Sequence, residues 1–407
     1  MTRMRGKLGL TVIAATGLLL LAYVVRASPG GPAGERFEPL ALLERYEAAV
    51  AEMASQTAAM ARGADALAEA IVEGDAAFAV AGNASVRLDW VNRPGAMLGG
   101  AGRAAEAGDA VLAVIGSDGG SGGSLAAEVM QLQRLAEGGS VLVAVASVEA
   151  LREAGVLDAV RRATAAVIDL GVGGDDPLRP ALALTAAWAV QCEVFAACVR
   201  RRAVPVVRQS AEIDTRQDRR LRYGGQRFHH DLWLEPIAAG ELAARYLERA
   251  GELSLDLRTA SGDPLEAAAR RSRSAARGGG TVWLSAGPRA VYAGRYLDAA
   301  TGSMAMWTGV AGPDDLVIGV GEYDPPSWAW WREIDAMRDA DAVFWVLASY
   351  AVRPGELGPG ETLIDNQVPF GDAAIDVPGY DARVGPLSSV ANELVLAVLN
   401  RAIVSIQ

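Results

Sequence analysis

Ile115-Gly116-Ser117-Asp118-Gly119-Gly120-Ser121-Gly122-Gly123-Ser124 breaks an otherwise regular pattern, and its neighbours decide how it is read. A short β-rich run at 110–115 leads into it, and an amphipathic helical stretch at 125–135 leaves it. That puts the segment at the carboxyl end of a strand, where open α/β sheets hold their ligands. Its glycines let successive N–H groups converge, its serines add hydroxyl donors, and the following helix N-terminus favours negative charge. An anion-binding loop made by Ser117, Gly119, Ser121, Gly122 and Ser124 is therefore expected. The competing reading is a flexible turn with Ser124 as a helix cap. No Gly-Lys-Ser/Thr is present, so this is not a Walker A loop, and no acidic partner completes a dinucleotide fingerprint.

Working outward, a helical stretch or pair of helices at 40–72 precedes strand-like runs at 76–81, 110–115, 141–146 and 165–170. These alternate with helical segments near 87–97 and at 125–135, 148–157 and 182–199. A charged, turn-rich segment at 204–231 interrupts this order. It then resumes with helices at 240–257, 264–277, 289–300, 328–340 and 384–404, and strands at 281–285, 316–320, 342–348 and 362–366. Such alternation predicts an α/β protein made of two tandem doubly wound parallel-sheet domains. The expected boundaries are an N-terminal segment at 1–34, a first domain at 38–202, a connector at 203–235 and a second domain at 236–407. The inference of duplication rests on element order.

The places in the second half that match the glycine-serine loop read Ser285-Ala286-Gly287-Pro288 and Gly321-Glu322-Tyr323-Asp324-Pro325-Pro326. Proline removes donors there, so a phosphate site is expected in the first half only. Trp328, Trp330 and Trp331 are expected to pack into a core or an interface. Glu128 and Glu393 are the helical carboxylates that could serve as a general base. The only histidines, His229 and His230, sit in the connector.

Half of the 407 residues are hydrophobic, enough for sizeable cores, and the net charge is −11. With no basic run outside a helix-like stretch, a nucleic-acid partner is not expected. Cys192 and Cys198, the only cysteines, face different sides of one predicted helix, so neither a disulfide nor a metal site is supported. No cofactor motif occurs. At the N-terminus, Arg3, Arg5 and Lys7 precede an apolar run at 8–25 and a Pro/Gly-rich break through 34. This pattern predicts a signal peptide or a membrane-spanning anchor, with the body of the protein outside the cytoplasm: membrane-anchored or exported, as to the periplasm.

The strand, serine-rich glycine loop and helix resemble the phosphosugar-binding element of sugar isomerase (SIS) domains, where a Ser-x-Ser-Gly-x-Thr-like stretch precedes a helix. Ser117 takes the first serine's place, Gly119 or Ser121 the region of the second, and Ser124 the hydroxyl residue opening the helix. Val80-Ala81-Gly82-Asn83-Ala84-Ser85 is similar to the family's earlier Gly-x-Gly-x-Ser turn, with Ala84 where a second glycine is common, and offers Ser85 as a neighbour of the site. Ile364-Asp365-Asn366, Gly371-Asp372-Ala373, Val377-Pro378-Gly379 and Val384-Gly385-Pro386-Leu387-Ser388-Ser389-Val390 follow in the order seen in small bacterial SIS-domain proteins of unassigned activity. That block adds Ser388 and Ser389 as hydroxyl donors at a helix start. The resemblance covers 40–406 and implies a small anionic sugar as ligand. It also implies a histidine carried to the sugar from a neighbouring domain or subunit, which leaves a homo-oligomer open. Three activities are compatible with it: binding of a phosphorylated or otherwise anionic sugar without turnover, aldose–ketose isomerisation of a phosphosugar, and a structural role in the envelope. Export of the chain favours the first.

Overall fold

The computed structural model describes residues 38–82, 86, 87, 89, 90, 93–97, 104–116, 125–210, 213, 215–286, 304–307, 309, 311–321, 340, 342–348, 352 and 357–404. All of them belong to one compact unit, Glu38–Gln407. The N-terminal apolar run and the helices expected at 289–300 and 328–340 lie outside the described residues.

The first half carries a four-stranded parallel sheet in sequential order, β1 (Phe78–Ala81), β2 (Ala110–Val114), β3 (Val141–Ala146) and β4 (Ala166–Asp169). Sequential parallel neighbours need crossovers on one face. Helices α3 (Leu125–Glu137), α4 (Val148–Glu153) and α5 (Leu157–Ala163) supply them. Alternate strand residues, Val111, Ala113 and Ile115 with Leu142, Ala144 and Ala146, meet Val129, Leu132, Leu135 and Val160 from these helices. The opposite face is covered by α2 (Thr57–Val72) and α6 (Arg179–Arg200). The helix expected at 148–157 is thus two short ones, and the expected 40–72 stretch is α1 (Ala41–Met53) and α2 joined by a 3-10 turn at Ala54–Gln56.

The second half carries a five-stranded parallel sheet. Its strands are β5 (Val282–Ala286), β6 (Ala305–Met306), β7 (Leu316–Val320), β8 (Ala342–Leu347) and β9 (Glu361–Asp365), in the order β6-β5-β7-β8-β9. Trp345 fills the space above Gly319 so tightly that a Cβ on that glycine would lie 2.2 Å from the ring. A short antiparallel pair follows, β10 (Ala373–Ile375) with β11 (Val384–Pro386). The terminal helix expected from 384 therefore begins later, as α10 (Ser388–Val404), because 384–386 is extended and paired.

Between the sheets lies a shared layer of helices from both halves. Helix α8 (Glu241–Ala260) packs on α1 and α6, while α10 packs on α6 and on α9 (Gly262–Gly278). Polar links fix the register: Ser254 Oγ donates to Leu43 O at 2.7 Å, and Tyr246 Oη donates to Pro386 O at 2.6 Å. Among the described residues α6 is the one helix long and apolar enough to cross a membrane, and its whole apolar stretch is buried inside this layer. The 203–235 segment is folded rather than a bare connector. It contains α7 (Arg216–Tyr223) and pairs by isolated bridges, Pro205 with Phe228 and Met97 with Val207. Pairing with Val207 replaces the end of the helix expected near 87–97, since residues 93–97 form a turn and this bridge.

Candidate functional site

At the carboxyl edge of the first sheet, β2 is followed by buried Ile115 and by Gly116, whose φ of +68° suits glycine. Glu128, in the first turn of α3, reaches back so that its Oε2 accepts the Gly116 N–H at 2.6 Å. A Cβ on Gly116 would stand 3.5 Å from Leu125 Cδ1, so Gly116 and the first helix residue are neighbours. The described residues on either side of 117–124 are therefore brought together. The candidates in that segment, Ser117, Gly119, Ser121, Gly122 and Ser124, together with Ser85, lie outside the described residues. The carboxylate of Glu128 is thus held at the mouth of the loop by a backbone donor, where it also complements the helix dipole.

The adjoining strand ends offer an anion little. After β3, Ser147 caps α4 by accepting the Ala150 N–H at 3.1 Å, and its hydroxyl donates to Val172 O at 2.5 Å. Asp169, at the end of β4, accepts the Val148 N–H at 3.0 Å and the Gly171 N–H at 3.1 Å through Oδ1. The Ala150, Val148 and Gly171 N–H groups that a ligand could have used are already taken by protein oxygens, the last two by the Asp169 carboxylate.

The C-terminal block forms a buried clamp. Asp372 Oδ1 accepts the N–H groups of Leu387 and Ser388 at 3.1 and 2.8 Å, and its Oδ2 accepts the Ser388 hydroxyl at 2.8 Å. The Leu387 and Ser388 donors at the start of α10 are thereby satisfied within the protein, while the buried Ser389 hydroxyl has no hydrogen-bond partner among the described residues. Arg93 Nη1 donates to Ser388 Oγ at 2.8 Å, and Arg93 Nε donates to Asp89 Oδ1 at 2.5 Å. Trp188 Nε1 donates to Asp89 Oδ2 at 3.2 Å and stacks on Trp90 with ring centroids 3.7 Å apart. Burial raises the pKa of Asp372 above the usual carboxylate range, against the opposing pull of Arg93. Ser388, Ser389 and Glu393 are all fully buried, and Asn392 beside them donates to Gly321 O at 2.8 Å.

His229 and His230 part company. His230 is exposed, with Nδ1 3.1 Å from Gln226 Oε1. His229 is buried, with Nε2 3.3 Å from Arg219 Nη2 and 3.4 Å from Tyr380 Oη, and its ring packs on Tyr223. Desolvation, reinforced by the Arg219 charge, lowers its pKa to about 4, so it is neutral near pH 7. Arg219 in turn donates to Tyr380 Oη at 2.8 Å and pairs with Asp381. The hydrogen bonds of His229 thus bind the 203–235 segment to the stretch between β10 and β11; none joins it to Glu128 or Glu393 among the described residues.

The sequence reading passed over Asp89, Arg93 and Arg219. Only the Asp89/Arg93 spacing beside Trp90 could have signalled a buried pair on one helical turn. No group of His, Cys, Asp and Glu among the described residues is placed to hold a metal ion.

No protein-family model and no curated protein matches the chain. Solved structures do match its fold. The C-terminal domain of glucosamine-fructose-6-phosphate aminotransferase from Francisella tularensis superposes with a TM-score of 0.51 at 11% identity, over 93% of this chain and 98% of that one. A provisionally assigned sugar binding protein from Salmonella typhimurium gives 0.45 at 11% identity, over 89% and 99%. A provisionally assigned phosphosugar isomerase from Silicibacter pomeroyi gives 0.44 at 14%, over 89% and 96%. At such identities the likeness is one of fold. The fold class is the expected one, α/β with two parallel sheets, and over it the chain is similar to the aminotransferase domain.

Proposed function

We propose that this protein binds a phosphorylated or otherwise anionic sugar at the carboxyl edge of its first sheet. One observation carries the reading: Glu128 accepts the Gly116 N–H, which ties the residue before the serine-glycine segment to the first turn of the helix after it, so both ends of that segment lie at a helix N-terminus. The fold shared with the aminotransferase domain over nearly the full length of both chains supports it. Ser117, Ser121 and Ser124 are the hydroxyl donors, with Ser85 beside them, and the domain holding them spans 38–202. Tethering or export through the apolar run at 8–25 belongs to the same proposal, and fractionation with a C-terminal reporter tests it.

Binding without turnover is preferred because the residues that proton transfer would need are dispersed: Glu128 is at the sheet edge, Glu393 in the buried face of α10 and His229 under Arg219. A phosphosugar isomerase, with Glu128 as the base at the loop mouth, is the second reading. Thermal-shift titration of the full chain with sugar phosphates and amino-sugar phosphates tests binding, since a ligand of the folded state alone raises its stability. An assay for aldose–ketose interconversion, on wild type and Glu128→Gln, separates the two. If no anionic sugar stabilises the protein, the proposal fails and the structural envelope role gains.

A further inference from the structure

A cavity of about 460 Å³ lies between the 203–235 segment and the β10–β11 hairpin. Small-molecule pockets run from about 300 to 1,000 Å³, so it has room for a ligand. None of its described lining belongs to the first sheet or to 116–128. Its walls are fixed by hydrogen bonds. The Arg208 N–H donates to Ala96 O at 2.8 Å, the Gly95 N–H donates to Arg208 O at 2.6 Å, and Tyr380 Oη accepts the Val207 N–H at 3.1 Å. Ile213 packs on the turn at Gly371, where a Cβ would stand 3.1 Å from Ile213 Cδ1.

Two features of the lining point to a ligand. Gln209 buries its side-chain Oε1, which has no hydrogen-bond partner among the described residues, while its Nε2 donates to Thr215 Oγ1 at 3.4 Å. A buried amide end left unmet costs free energy that a ligand can recover. A hydroxyl both donates and accepts, so it meets this end in either orientation of the amide. Phe370, in the same lining, is 57% exposed. It sits in a turn closed by the Asp372 N–H bond to Pro369 O at 2.9 Å, and the buried Asp372 clamp holds that turn. An exposed ring on a rigid turn is a ready stacking surface.

The charges of the lining narrow the class. Arg208 and Arg383 stand with Asp376 and Asp381, so neither sign prevails and a carboxylate is present to oppose any anion. Arg383 gives only its Nε to Asp376 Oδ1, at 2.9 Å. The pair therefore presents guanidinium donors beside a second carboxylate oxygen, a match for adjacent hydroxyls. A peptide finds no open ladder here, because the Arg208 backbone groups and the Val207 N–H are already spent.

We propose that this cavity binds a neutral saccharide, stacked by the C–H face of its ring on Phe370 and holding hydroxyls against Gln209 and the Asp376–Arg383 pair. It is a second site, independent of the anionic ligand assigned to the sheet edge.

Saturation-transfer NMR of the full chain with glucose, galactose, mannose and N-acetylglucosamine tests this. At least one of the four is expected to bind, with a millimolar dissociation constant and the strongest saturation on the C–H protons of one ring face. Phe370→Ala and Gln209→Ala are each expected to weaken that sugar about fivefold or more, whereas Phe370→Trp keeps it. Because Phe370 is exposed, its variants are expected to melt as the wild type does, which separates lost binding from lost fold. Trp233→Ala, which removes an exposed ring outside the lining, and Ser117→Ala/Ser124→Ala are expected to leave the affinity unchanged. Absence of saturation for all four sugars, or an equal loss in Trp233→Ala, overturns the proposal. Loss of binding in the serine variant overturns it by assigning the sugar to the sheet edge. Displacement of the sugar by an equal concentration of alanyl-alanine overturns it in favour of a peptide groove.

Discussion

Asp372 and Ser388 meet twice, once through the serine N–H and once through its hydroxyl, both at 2.8 Å and both fully buried. Asp372 adopts a φ of +68°, a left-handed conformation that aspartate tolerates better than most residues. The pair joins the turn before β10 to the start of α10, and Arg93 extends the link to the first half.

Ser388→Ala deletes the donor to Asp372 and the acceptor for Arg93 while leaving the helix start intact. It is expected to lower unfolding stability by about 1–3 kcal/mol. Asp372→Ala leaves buried donors and the Arg93 charge less compensated, and a larger loss, about 3–5 kcal/mol, is expected. Urea unfolding followed by circular dichroism measures both. A near-zero loss for Asp372→Ala would mean that the clamp is incidental to the fold.

Gly385 has a φ of +74°, and a Cβ there would stand 2.6 Å from the Tyr246 ring and 2.7 Å from Cys192 Sγ. Both neighbours are fully buried, so neither can move aside cheaply. Gly385→Ala is expected to cost more than about 3 kcal/mol, from backbone strain and overpacking together. Differential scanning calorimetry should show a clearly lowered melting temperature, and an unshifted one refutes the close approach.

His229 supplies a pH dependence whose sign follows from its lowered pKa. The unfolded chain binds a proton near pH 6.5, whereas the folded one does so only near pH 4. In that window the unfolded state holds more protons, so stability is present above pH 6.5 and is lost as the pH falls towards 4, by at most about 3 kcal/mol. His229→Gln removes the titration and should flatten this part of the stability profile. Denaturant midpoints of both proteins at pH 7 and at pH 4.5 provide the comparison; parallel profiles would show that His229 is not desolvated.

For the sheet-edge site, Ser117→Ala/Ser124→Ala removes two hydroxyl donors to an anion. Affinity for any sugar phosphate found by titration is expected to fall at least about tenfold with the fold retained. Ser121→Asp is expected to be worse through charge repulsion. Calorimetric titration decides, and unchanged affinity in the double variant would reduce the segment to a turn.

The parallel strands were legible because runs such as Ala110–Val114 and Val141–Ala146 are apolar on both faces, the mark of a doubly covered sheet. The β10–β11 pair was not, since three-residue strands, one of them containing Gly385 and Pro386, carry no period. Glu128 was legible as a candidate, but not the bond to Gly116 that sets its place. The 203–235 segment misled by composition. Its arginines and His229 read as part of a charged, turn-rich connector, yet the partners that bury Arg219 and His229 are Tyr380 and Asp381, more than 150 positions away. Long-range pairing of that kind leaves no local trace.

The central layer has a consequence for how the chain can be divided. Because α6 is enclosed by α2 from its own half and by α8 and α10 from the other, neither sheet owns its inner wall. A fragment ending near 202 would present the flank of α6 to water, and one beginning near 236 would bare the apolar sides of α8 and α10. Evolution can therefore retune the loops at either sheet edge independently, but it cannot shuffle the halves as exchangeable modules.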